Sequence, residues 1–370
     1  MKKMMLKPKS ETELVEVIAD AGGPLCIQGG GTRGFASDGE VLSTRGLSGV
    51  ELYEPGALTM VARAGTPVAE IEALLAQSGQ RLAFEPMDHR GLLGSDGEPT
   101  IGGVFAANVS GPRRIQCGAA RDFLLGVRFV DGAGHVVKNG GRVMKNVTGY
   151  DLVKLMAGAH GTLGALSEVS FKVLPEPEAE ATVQVGDVGL SVAVQVMSAA
   201  LGSPYDVTGA GYDPDTRKAY VRIEGFSSSV AYRADRLSAD LAQFGETQQV
   251  ERSADLWRGI RDVSAFYGRE GDVWRISVKP SDAVALADQL QADALQFDWG
   301  GGLVWALVPE GVDLRARMGV SGHATLVRGS AETRMRLGQF HPQPAPLAAI
   351  SAGLRAKFDP RGILNSGLMG

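Results

Sequence analysis

The sequence predicts an α+β protein in two domains. A glycine-rich first domain spans residues 1–178, and a second α+β domain of ferredoxin-like type spans 179–341. A C-terminal helix and tail follow over 342–370. Three observations predict this. The first 175 residues read as α-β…β-β-α rather than as regular βαβ units. Glycine makes up 50 of the 370 residues, well above the roughly 7% average usage, and several short glycine-rich turns fall in the first half. Beyond Pro175 and Pro177 the texture changes to strands alternating with longer helical runs.

The elements follow in order. Ser10-Glu11-Thr12-Glu13 reads as a capping box, with Leu14, Val17, Ile18 and Ala21 at helical spacing and Gly22-Gly23 as the stop. Leu25–Gln28 is an apolar strand. Val50–Tyr53 and Leu58–Ala62 flank the turn Glu54-Pro55-Gly56 as a hairpin-like pair. Thr66-Pro67 opens a second helix carrying Val68, Ile71, Leu74 and Leu75, stopped at Gly79. Phe123–Val130 and His135–Lys138 pair around Asp131-Gly132-Ala133-Gly134, and Ala165–Val173 supplies another strand. In the second domain, strands fall near Val183, Ala219–Ile223, Val273–Val278 and Leu303–Val308. Helices fall near Val192–Ala200, Val230–Phe244 and Ala283–Leu295. Pro342, Pro344 and Pro346 form an extended linker to an amphipathic helix over Leu347–Phe358. No internal repeat is apparent.

Composition bounds the function. The net charge of −5, with no basic stretch, argues against nucleic-acid binding. Two cysteines, Cys26 and Cys117, are too few for an iron–sulfur cluster or a disulfide framework. No window holds the roughly 18 apolar residues of a spanning helix, and the N-terminus does not read as a signal peptide. The expected location is cytoplasmic, with any membrane association peripheral and through partners.

Gln28-Gly29-Gly30-Gly31-Thr32-Arg33-Gly34 spells G-x-G-x-x-G after a strand. A dinucleotide fingerprint requires a helix next. Here Asp38-Gly39-Glu40 breaks any apolar period, and the next element is a short strand around Val41-Leu42-Ser43. The loop therefore reads as strand, glycine turn, strand. Its N–H groups can turn inward as an anion nest. Thr32 can add a hydroxyl, and Arg33 either pairs a phosphate or is solvated. A second nest is Thr100-Ile101-Gly102-Gly103 before a short helical run to Asn108, with Thr100 as its cap. Side chains at Gly30 and Gly102 are expected to obstruct the phosphate path. A third glycine turn, Gly158 to Leu166, follows a helix starting near Asp151 after Asn146-Val147-Thr148-Gly149-Tyr150. Three such turns suggest one long ligand held by backbone.

The order GGGT…TIGG…N…GYDL…GTLG over residues 8–178, with Lys357-Phe358-Asp359-Pro360-Arg361-Gly362-Ile363-Leu364-Asn365 at the end, resembles the vanillyl-alcohol oxidase / p-cresol methylhydroxylase family of flavoproteins. The resemblance implies a two-subdomain FAD-binding domain, a cap, and a C-terminal helix returning to the FAD domain. It implies FAD contacts at Gly29, Gly30, Gly31, Thr32, Arg33, Thr100, Gly102, Gly103 and Asn108. The same likeness puts Gly161, Gly164 and Leu166 on the adenine side and Asn365 near the flavin ring. Asp88, in Pro86-Met87-Asp88, would bond the ribityl or ring, or serve a turn. The first loop has no histidine, so FAD attachment should be non-covalent, with His89 the alternative. Within the family the pattern is most similar to FAD-binding subunits of glycolate oxidases, with D-lactate dehydrogenase-type flavoproteins as nearest relatives. That implies a second flavin subunit and an iron–sulfur subunit as partners and a 2-hydroxy acid as substrate of the complex. Two alternatives stand beside it: a stand-alone D-2-hydroxy-acid dehydrogenase and a non-catalytic assembly subunit. The histidines His89, His135, His160, His323 and His341 show no ligand-pair spacing, so neither a metal site nor catalytic residues are assigned.

Overall fold

The computed structural model describes residues 5–34, 37–142 and 149–369. The N-terminal helix runs Glu11–Ala19. The Ser10 hydroxyl accepts from Glu13 N, and the Glu13 carboxylate accepts from Lys9 N, one residue earlier than a strict capping box. Leu14 and Ile18 are its buried face. Strand Leu25–Gln28 pairs in parallel with Glu40–Ser43, so the glycine loop between them joins two strands as the sequence indicates.

A five-stranded sheet forms the rest of this half. Its order is Val50–Glu54, Thr59–Arg63, Ala165–Lys172, Leu124–Val130, Val136–Gly140, all antiparallel. Helix Val68–Ala76 and the short helices Ile101–Ala106 and Leu152–Met156 pack on one face, around Phe84, Phe105, Phe129 and Phe171. The helical run expected up to Asn108 ends two residues earlier, and Gly102-Gly103 lie inside its first turn. Asn108 itself takes a positive φ of 49°.

The second half is an eight-stranded antiparallel sheet, and it holds the repeat that the sequence conceals. Ala179–Val185, helix Leu190–Leu201, Val207–Asp213, Lys218–Gly225, helix Ser227–Leu241 and Thr247–Gln249 form one βαββαβ unit in spatial order 4-1-3-2. Asp272–Val278, helix Ala283–Leu290, Ala294–Asp298, Leu303–Val308 and Gly322–Arg328 repeat that order in mirror sense. Among the described residues a 3₁₀ turn at Arg315–Arg317 stands where the second helix would be. The loss of that helix and the divergence of the core residues explain why no period is visible. The two units join edge to edge through the single pair Tyr212–Phe297. The helix expected over Ala283–Leu295 ends at Leu290, because Gln291 takes a left-handed φ of 49° and Ala294–Leu295 begin a strand.

Period-two alternation gives this sheet two different faces. Val221, Ile223, Trp274 and Ile276 meet the three unit helices. Tyr220, Arg222, Glu224, Val273 and Arg275 alternate with them and look the other way. On that side Val273, Trp299, Leu303 and Trp305 pack with Met87 and Leu92 of the first half. The last helix, Ala345–Phe358, has Pro346 in its first turn rather than in a linker. Its apolar residues do not form a buried stripe: Leu347 and Ile350 are exposed, and only Leu354 and Phe358 touch the core of the first half. The tail beyond it returns to the first strand, with Leu25 N donating to Ile363 O and Asn365 N to Leu25 O.

Across the junction runs a buried ionic network. Arg113 meets Glu85 at 2.7 Å and Glu224 at 2.5 Å. Arg81 meets Glu224 at 2.6 Å, and Arg222 meets Glu85 at 2.9 Å while its guanidinium lies 4.6 Å over Trp257. Burial alone would raise the Glu224 carboxyl. The Arg113 hydrogen bonds and the charges of Arg222, Arg113 and Arg81 outweigh it and hold Glu224 well below the usual range. A depressed carboxyl stabilises the folded state above the unfolded value, and this contribution disappears as pH falls through the folded value. Glu224→Gln should therefore cost about 3–5 kcal/mol at pH 7, because it leaves guanidinium groups unpaired. The cost should shrink below about pH 4. Denaturant melts of both proteins from pH 7 to 3 measure this, and a pH-independent difference would contradict it.

Candidate functional site

The glycine loop, the helix Ile101–Ala106 and the turn His160–Gly164 meet in one groove that opens to solvent. Its lining includes Gly29, Gly30, Gly31, Thr32, Arg33, Gly102, Gly103, Gly161, Gly164, Leu166 and Asn365, all singled out from the sequence. Ile27, Ser37, Ala106, Ala107, His160 and Leu368 complete much of the wall. Those were not singled out; the apolar ones carry no chemical signature in a sequence.

The glycines serve a purpose the sequence does not disclose. A Cβ on Gly30 would stand 1.6 Å from the Glu98 carbonyl oxygen, and one on Gly97 would stand 1.9 Å from Gly30 O. The two loops press backbone to backbone. A Cβ on Gly29 would meet Thr100 Oγ1 at 2.1 Å, and one on Gly102 would meet Ala64 Cβ at 2.5 Å. The expectation that Gly30 and Gly102 keep a ligand path clear is thus corrected: the space at their α-carbons is filled by the protein's own chain. Gly31 differs. Its φ is +70° and its nearest neighbour is the Gln28 side chain at 3.4 Å, so it supplies only the left-handed turn.

Thr100 is the N-cap of the groove helix, its hydroxyl accepting from Gly103 N at 3.3 Å, and it stands behind the lining. Asn108 also lies off the lining; its Oδ1 accepts from Arg121 N at 2.9 Å and ties down the next segment. Asp88 takes the turn role, accepting from Arg90 N and from the Arg90 guanidinium, while its own N–H donates to Asp262. Burial would raise its carboxyl, but the Arg90 hydrogen bonds bring it below the usual value.

Asn365 is the clasp of the groove. Its Oδ1 accepts from Ile27 N at 2.6 Å and from Ser37 Oγ at 3.0 Å. Its Nδ2 donates to Ile27 O at 3.2 Å and to His160 O at 2.7 Å. One side chain from the tail thereby joins the strand before the glycine loop to the turn that faces it. A Cβ on Gly161 would reach this Nδ2 at 2.8 Å.

Arg33 is the charged group of the groove. Its Nε is buried without a hydrogen-bond partner, and no carboxylate lies within ion-pair distance among the described residues. Burial lowers its pKa to about 10, with Asp88 only partly offsetting. His160 is held neutral, its pKa lowered to about 4 by burial and then by Arg33. His89 is lowered to about 3 by burial, then by Arg33 and, more weakly, by Arg275. The His89 ring touches the Met87 carbonyl through Nδ1 at 3.3 Å. The segment Asn146-Val147-Thr148 lies outside the described residues.

The architecture and the groove together define a flavoprotein-type FAD-binding unit with a cap. A family model described as an FAD binding domain matches residues 3–140. The chain is 36% identical to glycolate oxidase subunit GlcE of Escherichia coli over 94% of its own length and 92% of that protein's. It is 36% identical to glycolate oxidase subunit GlcD of Bacillus subtilis over 27% of this chain and 21% of that one. To a D-lactate dehydrogenase of Archaeoglobus fulgidus it is 28% identical, over 47% and 39% respectively. Among solved structures, alkyldihydroxyacetonephosphate synthase shares the fold with a TM-score of 0.70 at 16% identity, over 98% of this chain and 76% of that one. The chain belongs to the p-cresol methylhydroxylase-type family of FAD-binding flavoproteins, as an FAD-dependent oxidoreductase. No helix among the described residues is long and apolar enough to cross a membrane.

Two glycine variants separate the packing role from the turn role. Gly30→Ala should prevent recovery of folded, yellow protein, since the Glu98 carbonyl cannot yield. Gly31→Ala should fold with a loss of about 1 kcal/mol. Equal thermal midpoints for the two variants would contradict the back-to-back packing. Asn365→Ala should cost about 2 kcal/mol or more, because it leaves buried partners unsatisfied, and should lower flavin content per chain. A variant with wild-type melting and flavin content would remove the clasp from the argument.

Proposed function

We propose that this chain is the FAD-binding subunit of a heteromeric glycolate oxidase, converting glycolate to glyoxylate and passing electrons to an acceptor other than a nicotinamide. The observation that carries the reading is the match to subunit GlcE along nearly all of both chains. A second flavin subunit and an iron–sulfur subunit are the proposed partners.

The residues present fit FAD. A long ligand with an anionic middle needs backbone donors and a cation. The groove offers the N–H groups of the glycine loop and of the first turn of the helix at Thr100–Gly103, and Arg33 has a buried nitrogen awaiting an acceptor. Gly161, Gly164, Leu166 and Asn365 would line the rest of the ligand. Bound there, FAD supplies the reversible two-electron acceptor that oxidation of an α-hydroxy acid requires. The protein's part is to bind, orient and shield it. His160, kept neutral, adds no second positive charge beside Arg33.

Non-covalent attachment is proposed because the loop Gly29–Gly34 carries no histidine, and His89 is buried against Met87 O. Within the complex this flavin is proposed to relay electrons rather than to oxidise glycolate unaided, since the five histidines show no ligand-pair spacing for a metal. A metal beside the substrate hydroxyl is one way to stabilise the developing charge. The stand-alone dehydrogenase is the competing reading.

Two measurements test this. The purified chain should show a flavin spectrum, and acid precipitation should release the flavin to the supernatant; a yellow pellet would point to a covalent bond. Anaerobic mixing with millimolar glycolate should leave the flavin of the isolated chain oxidised, with turnover appearing on co-expression with the partners. Rapid bleaching of the isolated chain would instead establish the stand-alone enzyme.

A further inference from the structure

Two more guanidinium groups, at the junction of the two halves, have no hydrogen-bond or ion-pair partner among the described residues. Arg114 stands in the helical turn Arg114–Cys117 of the first half, and Arg275 stands in the strand Asp272–Val278 of the second. Neither side chain has a hydrogen bond or an ion pair among the described residues. Both sit over one ring: Arg114 at 4.7 Å and Arg275 at 5.0 Å from the Trp299 centroid. Stacking on an indole is favourable but leaves both charges in place. They also repel each other. Burial, and then Arg114, lower the Arg275 pKa to about 10.

The ring beneath them is built under strain. Trp299 has a φ of +54°, which a bulky residue rarely adopts, and Gly300 and Gly301 continue at +68° and +99°. The Asp298 carboxylate accepts from Trp299 N at 2.7 Å, and Trp299 Nε1 donates to Gly111 O at 3.0 Å. Gly111 follows the groove-lining Ala106-Ala107 by four residues. A strained backbone persists where surrounding contacts over-determine it, and such places cluster at ligand sites. Arg33 of the groove and Arg275 both lower the His89 pKa, so His89 lies within electrostatic reach of each. Trp299, Arg114 and Arg275 thus meet at the junction of the two halves, beside the segment that continues from the groove wall.

We infer that Arg114 and Arg275, held over Trp299, form a subsite for a small carboxylate, the acid end of a 2-hydroxy acid. Guanidinium forks match carboxylates in geometry as well as charge. The inference uses the proposed FAD groove as its reporter and for its substrate class.

The test uses the flavin-loaded chain. Oxalate, which has no hydrogen to lose, is titrated against the flavin difference spectrum and by calorimetry, at constant ionic strength. Saturable binding is expected, with inorganic phosphate and sulfate at least tenfold weaker. Arg275→Met and Arg114→Met should each weaken oxalate at least tenfold with flavin content per chain unchanged. Arg275→Lys, which keeps the charge but loses the fork, should fall between wild type and Arg275→Met, and it carries the test if a Met variant loses its flavin. Wild-type oxalate affinity in these variants would overturn the subsite. So would binding no tighter than sulfate or phosphate, or no saturable signal from a fully loaded chain. A chain that binds no flavin at all would count against the FAD groove, and calorimetry on it would still decide the subsite.

Discussion

The ion pairs linking Glu85, Arg113, Arg222 and Glu224 set the geometry on which the rest of the molecule depends. Arg222 and Glu224 sit two apart on one strand, so both emerge from the same face of the second sheet. Glu85 and Arg113 come from loops of the first half. Those loops continue directly into the chemical groups: Glu85 precedes Pro86-Met87-Asp88-His89, and Arg113 precedes Arg114. A displaced network would move His89 and Arg114 with it. Replacing buried ion pairs by apolar residues is often neutral or stabilising. An apolar contact would permit sliding, however, whereas bidentate pairs of 2.5–3.0 Å fix both distance and rotation.

The groove is organised on a different principle. Its walls are made mostly of main chain, and its positions are set by contacts a side chain would destroy. Loops 29–34 and 94–99 touch at Gly30 and Gly97, and the helix behind them approaches Ala64 at Gly102. Close packing behind the loop aims its N–H groups forward. Asn365 closes the arrangement from the far end of the chain, so the groove is assembled only when residues near 27, 160 and 365 have met. Its formation therefore depends on long-range contacts.

Much of this was legible in the sequence because glycine and helix-cap signals are local. The strand–loop–strand reading of residues 25–43, the Thr100 cap and the hairpin pairs follow from neighbouring residues alone, and the structure agrees. What stayed hidden is what depends on distant partners. Nothing local marks Arg222, Glu224 or Arg275, yet Arg222 and Glu224 are buried because carboxylates and guanidiniums arrive from 85 and 113. Nothing local marks Trp299 either. Its left-handed φ and its two arginine neighbours come from a glycine run and from two elements far apart in sequence. The duplication in the cap was invisible since core positions conserve volume and apolarity rather than residue identity.

The duplicated cap also explains how one sheet face serves two purposes. The two units meet through a single residue pair, Tyr212–Phe297, which alone fixes their relative register only weakly. Phe297 is two residues from Trp299, and the strand of Tyr212 lies beside the strand of Arg222 and Glu224. The first unit fastens the cap to the FAD-binding half by its buried ions. The second presents Arg275 and Trp299 to the same half, with no carboxylate within ion-pair distance of Arg275 among the described residues. Keeping that guanidinium unpaired is tolerable only because the neighbouring unit carries the fastening. If both tasks fell on one strand, Glu85 or Glu224 would neutralise the cations that the junction leaves free. Separation of the two tasks along a duplicated sheet keeps an unpaired positive charge next to the groove while the interface around it stays locked.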